Sequence, residues 1–210
     1  MSELKPGADL VGADLSEAML YGADLTGANL CEAIMCEALM ENVNLTRARL
    51  DGADVFMADM TGANLTDAEA IRADMRSASL REANLTRASL NFARLTCADF
   101  ARANLTGVDF TSANLTNADF TGAILKDANF TSATLTGAKG IIYFSFDKRG
   151  YILVMFNNQD GTHGFTSGCK SFASADEAIA HWSGAYYPNP KRGQMYVDAI
   201  RLMDKMEIPQ

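Results

Sequence analysis

The chain has 210 residues, 48% of them hydrophobic and 21% charged, with 26 Asp and Glu against 18 Lys and Arg for a formal net charge of −8. That length accommodates one or two domains with real cores, and the composition is ordinary for a soluble globular protein. The acidic balance argues against general nucleic-acid or anionic-membrane binding, which requires positive surface, and no run approaches the roughly 18 apolar residues of a membrane span.

The first residues, MSELKPGADL, lack the basic and apolar regions of a signal peptide. Cys31, Cys36, Cys97 and Cys169 are scattered, in neither a disulfide framework nor a paired zinc pattern. The expected location is the cytoplasm. Residues 1–6 read as a short tail.

A five-residue clock then starts. Every fifth residue from Ala8 to Ala138 gives 27 positions, of which 25 are Ala and two are Val43 and Val108. Two residues after each, from Leu10 to Leu135, 26 positions hold 16 Leu, four Met, four Phe, Val55 and Ala70. Asp or Asn stands between them at 16 of 26 sites. Neither the helical period of 3.6 nor the strand period of 2.0 fits. The pattern suits a short extended segment that buries two side chains and then turns a corner. One unit cannot bury its apolar pair alone, so the units must stack into a solenoid.

The recurring A(D/N)LTx resembles the pentapeptide-repeat family over roughly residues 7–139. The resemblance implies a mainly β fold: a right-handed quadrilateral β-helix with one pentapeptide per face and 20 residues per coil. Twenty-six units then make about 6.5 coils and a rod roughly 31 Å long at the usual strand spacing. Residues 20 apart become stacked neighbours. Asn44, Asn64, Asn84 and Asn104 form one polar column beside the threonines at 26, 46, 66, 86 and 106, which reads as a structural ladder. Phe100 and Phe120 share one face and Phe110 and Phe130 the opposite one, as aromatic filling. Ala70, the sole small centre, predicts a void or a bulged corner.

The stretch RADMRSASLREANLTRASLNFAR, residues 72–94, carries five arginines and two acids. Stacked at 20-residue intervals, these arginines fall on all four faces as a belt. Arg87 and Arg47 flank Asp67, Arg94 follows Asp74, Arg49 precedes Glu69 and Arg102 follows Glu82. Such pairs are each worth a fraction of a kcal/mol. Arg72 and Arg76 neighbour Phe92 and Phe56, a cation–π arrangement. Arg81 has no stacked partner. The belt divides the rod electrically: residues 1–70 hold 13 acids and three bases, residues 71–139 six acids and eight bases.

The early coils also place Val11, Met19, Tyr21, Cys31, Ile34, Cys36 and Leu39 at outward positions. Exposed apolar clusters mark interfaces, and a first coil with no cap before residue 7 leaves a sheet edge to be managed. A homodimer contact or a partner site covers both; the blander reading is a corner covered by the C-terminal region or the first residues.

After Gly140 the clock stops, and residues 140–210 read as a small α+β domain, a β-hairpin plus two helices. IIYFSF and YILVMF flank DKRG, a hairpin signal. NNQDG turns the chain towards a third strand around GFTSGCKSF. Ser174 and Glu177 form a capping box before AIAHW, and QMYVDAIRLMDKM, residues 194–206, reads as an amphipathic helix. The segment GCKSFASADEAIAHW resembles a small module seen beside pentapeptide repeats in phage and bacterial proteins, which brings no activity with it. This domain is expected to cap the β-helix, to present its last helix as a dimer contact, or both. His163, Cys169 and His181 match no zinc spacing. No catalytic motif stands out, so neither enzyme activity, catalytic residues, a metal nor a cofactor is expected.

The family resemblance also implies a function. Several pentapeptide-repeat proteins are acidic rods that mimic duplex DNA and bind DNA-handling proteins, notably the topoisomerase gyrase, inhibiting or protecting them. Carried onto this chain, Asp14, Glu17, Asp24, Glu32, Glu37, Glu41, Asp51, Asp54 and Asp59 stand in for phosphates, with Val11, Met19, Tyr21, Ile34 and Leu39 as an apolar interface. The chain departs from that pattern in having no loop between coils, an arginine belt across the stripe, and an α+β domain at its end. The alternative is a structural or adaptor protein, with the rod as rigid spacer and the C-terminal domain as recognition head.

Overall fold

A computed structural model describes residues 4–145, 152–158, 162–167, 170–183 and 190–208. The repeat forms a right-handed quadrilateral β-helix. Parallel bridges join residues 20 apart without a slip, from Asp9 with Asn29 to Asp119 with Lys139. Each bridge is held by a reciprocal pair of backbone hydrogen bonds, as in Asn29 N to Ala8 O (2.9 Å) and Leu10 N to Asn29 O (2.8 Å).

The corner geometry follows from the same repeat. The Ala amide donates back to the carbonyl of the preceding centre, as from Ala13 to Leu10 at 3.0 Å. Of the two residues between, only the second has positive φ, which defines a type II turn. That holds at every fifth position from 12 to 137, with φ between 55° and 72°. Eighteen of these 26 positions carry side chains rather than glycine, a conformation L-residues adopt at a cost. The stacked bridges above and below therefore determine it.

Alanines and centres fill the interior, and most are fully buried. The four phenylalanines alternate between opposite faces. Phe100 and Phe120 stack at 5.3 Å, Phe110 and Phe130 at 5.2 Å, and each pair meets the other edge to face. The corner at Ala70 keeps its register without a bulge, though its turn bond, Ala73 N to Ala70 O at 3.3 Å, is the longest of the repeat. Ala70 N bonds to Ser89 O at 2.8 Å and Asp74 N to Ala53 O at 2.9 Å, because the backbone ladder holds the corner whatever side chain lies inside.

The rest of the chain makes an antiparallel sheet in the order β1 (Ile141–Ser145), β2 (Ile152–Asn157), β3 (His163–Ser167), β4 (Lys170–Phe172), followed by helices α1 (Ala175–Ser183) and α2 (Pro190–Met203). The expected single third strand is two paired strands, with Phe165 opposite Phe172. Helix α2 begins at Pro190, suited to a first turn, and ends at Met203 rather than 206. The DKRG turn, Gln159–Gly161 and Cys169 lie outside the described residues.

Strand β2 explains why YILVMF is apolar at every position. Ile152, Val154 and Phe156 join the rod's core, while Leu153 and Met155 join a second core with Trp182, Tyr196 and Ile200 of the helices. Alternation places successive side chains on opposite faces, and both faces are covered. The α1 start realises half of the expected capping box: Ser174 Oγ accepts from Glu177 N at 3.2 Å, while Glu177 reaches one residue past the cap and accepts from Ala173 N at 2.8 Å.

The sheet lies on the far end of the rod, where the last coil has no coil above it. Thr166 donates its hydroxyl to Ala128 O at 2.9 Å, and Ser171 Oγ accepts from Asp127 N. In the coils below, the equivalent carbonyl and amide bond to the next coil, as Ala8 O and Gly12 N do. Two hydroxyls on paired residues of β3 and β4 thus stand in for a missing coil.

Candidate protein-interaction surface

Faces are numbered by their centres: the first through Leu10, the second through Leu15, the third through Leu20, the fourth through Leu25. The nine acids do not share one face. Glu32 and Asp51 lie on the first face, Asp14, Glu17, Glu37 and Asp54 on the second, Glu41 and Asp59 on the third, Asp24 on the fourth.

Their local chemistry divides by residue type. Asp14, Asp24, Asp54 and Asp59 accept the backbone amide two residues on, at 3.0–3.2 Å. Asp14 and Asp24 also accept the hydroxyls of Ser16 and Thr26. These bonds favour the ionised form, so both carboxyls sit below the ordinary aspartate value. Asp51 accepts from Ile71 N at 3.0 Å and lies 3.3 Å from Arg49. Glu17, Glu32 and Glu37 occupy the positive-φ turn position and are exposed. Among the described residues, Asp51 is the one member of the nine in an ion pair.

The apolar candidates separate likewise. Met19, Tyr21 and Leu39 share the third face, and Met19 bridges Leu39. Ile34 lies on the second face between Asp14 and Asp54. Val11 is on the first face, opposite the Met19 group. Met19 is 78% exposed, Tyr21 52% and Ile34 42%; Leu39 is half-buried. The C-terminal sheet covers the other end of the rod, so it does not cover this patch.

Phe56, expected only as a ring for Arg76, and Met57, which sequence reasoning passed over, extend the patch along the second face; Met57 is 51% exposed. Their signal was available, since both stand at outward positions where Thr, Ser or a charge is usual. Cys36 lies beneath Phe56 in the same column. Burial, and then the hydrogen bond and charge of Asp54, push its thiol up to about 11, so it is a weak nucleophile.

The arginine belt bounds this surface. Arg76 chelates Asp74, Nε to Oδ1 at 2.7 Å and Nη2 to Oδ2 at 2.8 Å, and stacks 5.2 Å from the Phe56 ring. Arg94 adds a bond to Asp74 at 2.8 Å. Burial pushes the Asp74 carboxyl up, but the Arg76 bonds and the Arg94 charge outweigh it and hold it low. Arg87 chelates Asp67 at 2.7 Å, with Arg47 acting on that carboxyl through its charge. Arg49 meets Glu69 at 3.6 Å, Arg102 meets Glu82 at 3.4 Å, and Arg72 lies 5.6 Å from the Phe92 ring. Arg81 is paired after all: its Nη1 bonds Asp99 Oδ2 at 2.9 Å, 18 residues on, because a long side chain reaches diagonally across a coil.

The polar ladder is also in place. Asn44 and Asn84 donate to Thr26 and Thr66 of the coil below, at 2.8 and 3.0 Å, and accept from Thr46 and Thr86 of their own. In the C-terminal region His163 lies 3.8 Å from Asp204, and His181 packs on Phe172 and Trp182, its pKa lowered by burial and by the Lys170 charge. No cluster of three metal-ligating side chains occurs among the described residues, and no helix there is long and apolar enough to cross a membrane.

Eight copies of the family model for pentapeptide repeats match the chain, over residues 6–35, 23–62, 44–82, 58–96, 73–111, 83–122 and 113–139. The chain belongs to the pentapeptide-repeat family. Comparison with curated proteins finds no match. Among solved structures it is similar to HetL, a pentapeptide repeat protein involved in heterocyst differentiation regulation from the cyanobacterium Nostoc, at 35% identity over 63% of this chain and 65% of that one, with a TM-score of 0.33. A thylakoid-lumen pentapeptide repeat protein of Arabidopsis thaliana is 31% identical over 52% of this chain and 69% of its own, TM-score 0.32. QnrB1, a plasmid-mediated fluoroquinolone resistance protein, is 22% identical over 64% and 83%, TM-score 0.39. The chain thus spans just under two thirds of HetL. The family's members are generally non-enzymatic structural or binding proteins.

Proposed function

We propose that this pentapeptide-repeat protein is a non-enzymatic binding protein whose acidic N-terminal coils present a duplex-DNA-like surface to a DNA-handling protein, a topoisomerase such as gyrase being the first to test. The observation that supports the reading is the excess of acids over bases in the first coils. Residues 1–70 carry a balance of −10 over roughly 16 Å of rod, near the one charge per about 1.7 Å of duplex DNA. Asp14, Glu17, Glu37 and Asp54 line one face with no base among them until Arg76. Such a surface steers a basic partner, and its binding weakens with salt. The protein would act where its partner handles DNA, in the cytoplasm.

The test is a supercoiling assay with gyrase and purified protein. Inhibition or protection that vanishes when Glu17, Glu37 and Asp54 are reversed to Lys supports the reading. No effect at low salt and excess protein removes gyrase as the target. If a DNA-handling partner is bound equally by the triple reversal, but not after deletion of 140–210, the rod is a spacer and the C-terminal domain the recognition head.

A further inference from the structure

We infer that the edge shared by the second and third faces of the first three coils is a docking surface for a basic amphipathic protein segment, one that inserts apolar side chains between its lysines or arginines. The inference rests on the reading of these coils as a partner-binding surface, and it specifies the partner's chemistry.

The two halves of the rod's circumference differ sharply in these coils. The second and third faces, residues 13–22, 33–42 and 53–62, hold six acids and no base. The first and fourth faces alongside, residues 8–12, 23–32, 43–52 and 63–67, hold five acids and two arginines. Exposed apolar surface is divided unequally too: Met19, Tyr21, Ile34 and Met57 lie on the acid-only side, and Val11 is the one large apolar side chain exposed on the other side of these coils among the described residues. A plain phosphate mimic needs no such groups. Duplex DNA offers a basic protein charge alone along its backbone, whereas here three of these four side chains have a carboxylate stacked next to them, Tyr21 under Glu41, Ile34 between Asp14 and Asp54, Met57 over Glu37, and Met19 stacks on Leu39.

The surface also has an upper limit. Above it the second face is closed by Arg76, held by Asp74 and lying on Phe56. The third face is closed by Arg81 on Asp99 and Arg102 on Glu82. Charge complementarity therefore selects a cationic occupant for the lower coils. It disfavours a second copy of this chain, which would bring the same uncompensated carboxylates against themselves. Apolar contact inside an acidic rim gives such binding a component that salt does not remove.

The test uses the full chain and two synthetic peptides of equal charge, one a Leu/Lys amphipathic helix and one a Ser/Lys peptide, in fluorescence anisotropy at physiological salt. The Leu/Lys peptide is expected to bind at least about tenfold more tightly, as apolar burial of one or two side chains allows. The pair Met19→Ser with Tyr21→Thr is expected to abolish that preference. Ser79 and Thr61 already occupy these two columns in higher coils, so the lattice accepts the change. Val11→Ser, on the opposite face, is expected to leave it unchanged. Equal binding of the two peptides, or an equal loss with Val11→Ser, overturns the inference. So does a concentration-dependent dimer in sedimentation that the same pair of substitutions dissolves, which would assign the patch to a second copy. Selective peptide binding by a protein that ignores DNA-processing enzymes removes DNA mimicry and leaves this surface standing. Gyrase inhibition at low salt that the Met19 and Tyr21 changes leave intact, in a protein that binds the two peptides equally, does the reverse.

Discussion

Thr166 donates its hydroxyl to the Ala128 carbonyl at 2.9 Å, from a side chain that is 1% exposed. That carbonyl would otherwise be a buried acceptor at the open end of a β-helix. Thr166→Val keeps the shape and removes the donor, so the desolvation cost of the carbonyl is left uncompensated. The expected loss is about 1–3 kcal/mol, read in denaturant unfolding. Hydrogen exchange should accelerate in residues 121–139 and not in the first coils, because solenoid units couple chiefly to their neighbours.

Gly140 makes the turn from rod to β1 at φ 75°, and a Cβ there would meet Phe120 C at 2.5 Å and Thr121 N at 2.5 Å. These are backbone atoms of the coil below and cannot swing aside. Gly140→Ala therefore combines a disfavoured φ with a clash, and about 2–4 kcal/mol of destabilisation is expected. Thermal unfolding by circular dichroism checks it, with Gly22→Ala as control: there a Cβ meets nothing within 4 Å, so only the φ term remains.

Much of this was legible because a strict period converts sequence distance into space. Once 20 residues make a coil, Arg87 with Asp67, Arg94 with Asp74 and Arg72 over Phe92 follow by subtraction. Arg81 escaped because the rule pairs columns, whereas its bond to Asp99 crosses from one column to another. The Arg76 chelation of Asp74 escaped because it runs within a single pentapeptide. The positive-φ corners were invisible too, since 18 of them carry ordinary side chains rather than glycine. The C-terminal region has no period, so the second strand in GFTSGCKSF and the early start of α2 emerged only from tertiary pairing. As for the surface, the same period assigns each acid to a face, but the half-burial of Leu39 and the 51% exposure of Met57 emerged only from packing.

The diagonal pair itself is worth little. Arg81 and Asp99 are both substantially solvent-exposed, so Arg81→Ala should leave the urea midpoint almost unchanged. The double variant with Asp99→Ala should show the small coupling of an ordinary surface pair in a double-mutant cycle. A larger coupling would mean that the belt orders the rod rather than decorating it.

Acid should unfold the protein through its hydrogen-bonded aspartates. Asp67 is held below its ordinary value of 3.8 by the Arg87 chelate, and Asp74 by Arg76 and Arg94 once burial is overcome. Asp119 behaves like Asp74, with burial opposed by Thr121, Lys139 and Arg81. A carboxyl whose folded-state pKa is depressed stabilises the fold while ionised, so the contribution is complete above about pH 4 and fades as pH falls through the depressed values. Denaturation midpoints should be flat in these groups from neutrality to about pH 4 and then decline. Asp67→Asn and Asp74→Asn together should lower the plateau and flatten the decline.

The aromatic filling of the last coils carries the largest single expected effect. Phe110 is fully buried, stacked on Phe130 at 5.2 Å and edge-on to Phe100 at 5.7 Å and Phe120 at 6.1 Å. Phe110→Ala removes a ring from a backbone lattice that cannot collapse around the hole, because every corner is bonded above and below. About 3–5 kcal/mol is expected. Phe110→Leu should cost much less, under about 1.5 kcal/mol, since Leu90 occupies the centre of the coil beneath on the same face. Urea unfolding of both variants measures the difference. Because the cap rests on these coils, hydrogen exchange in Phe110→Ala should rise in β2 as well as in residues 100–139, while the bridges from Asp9 to Asn64 keep their protection.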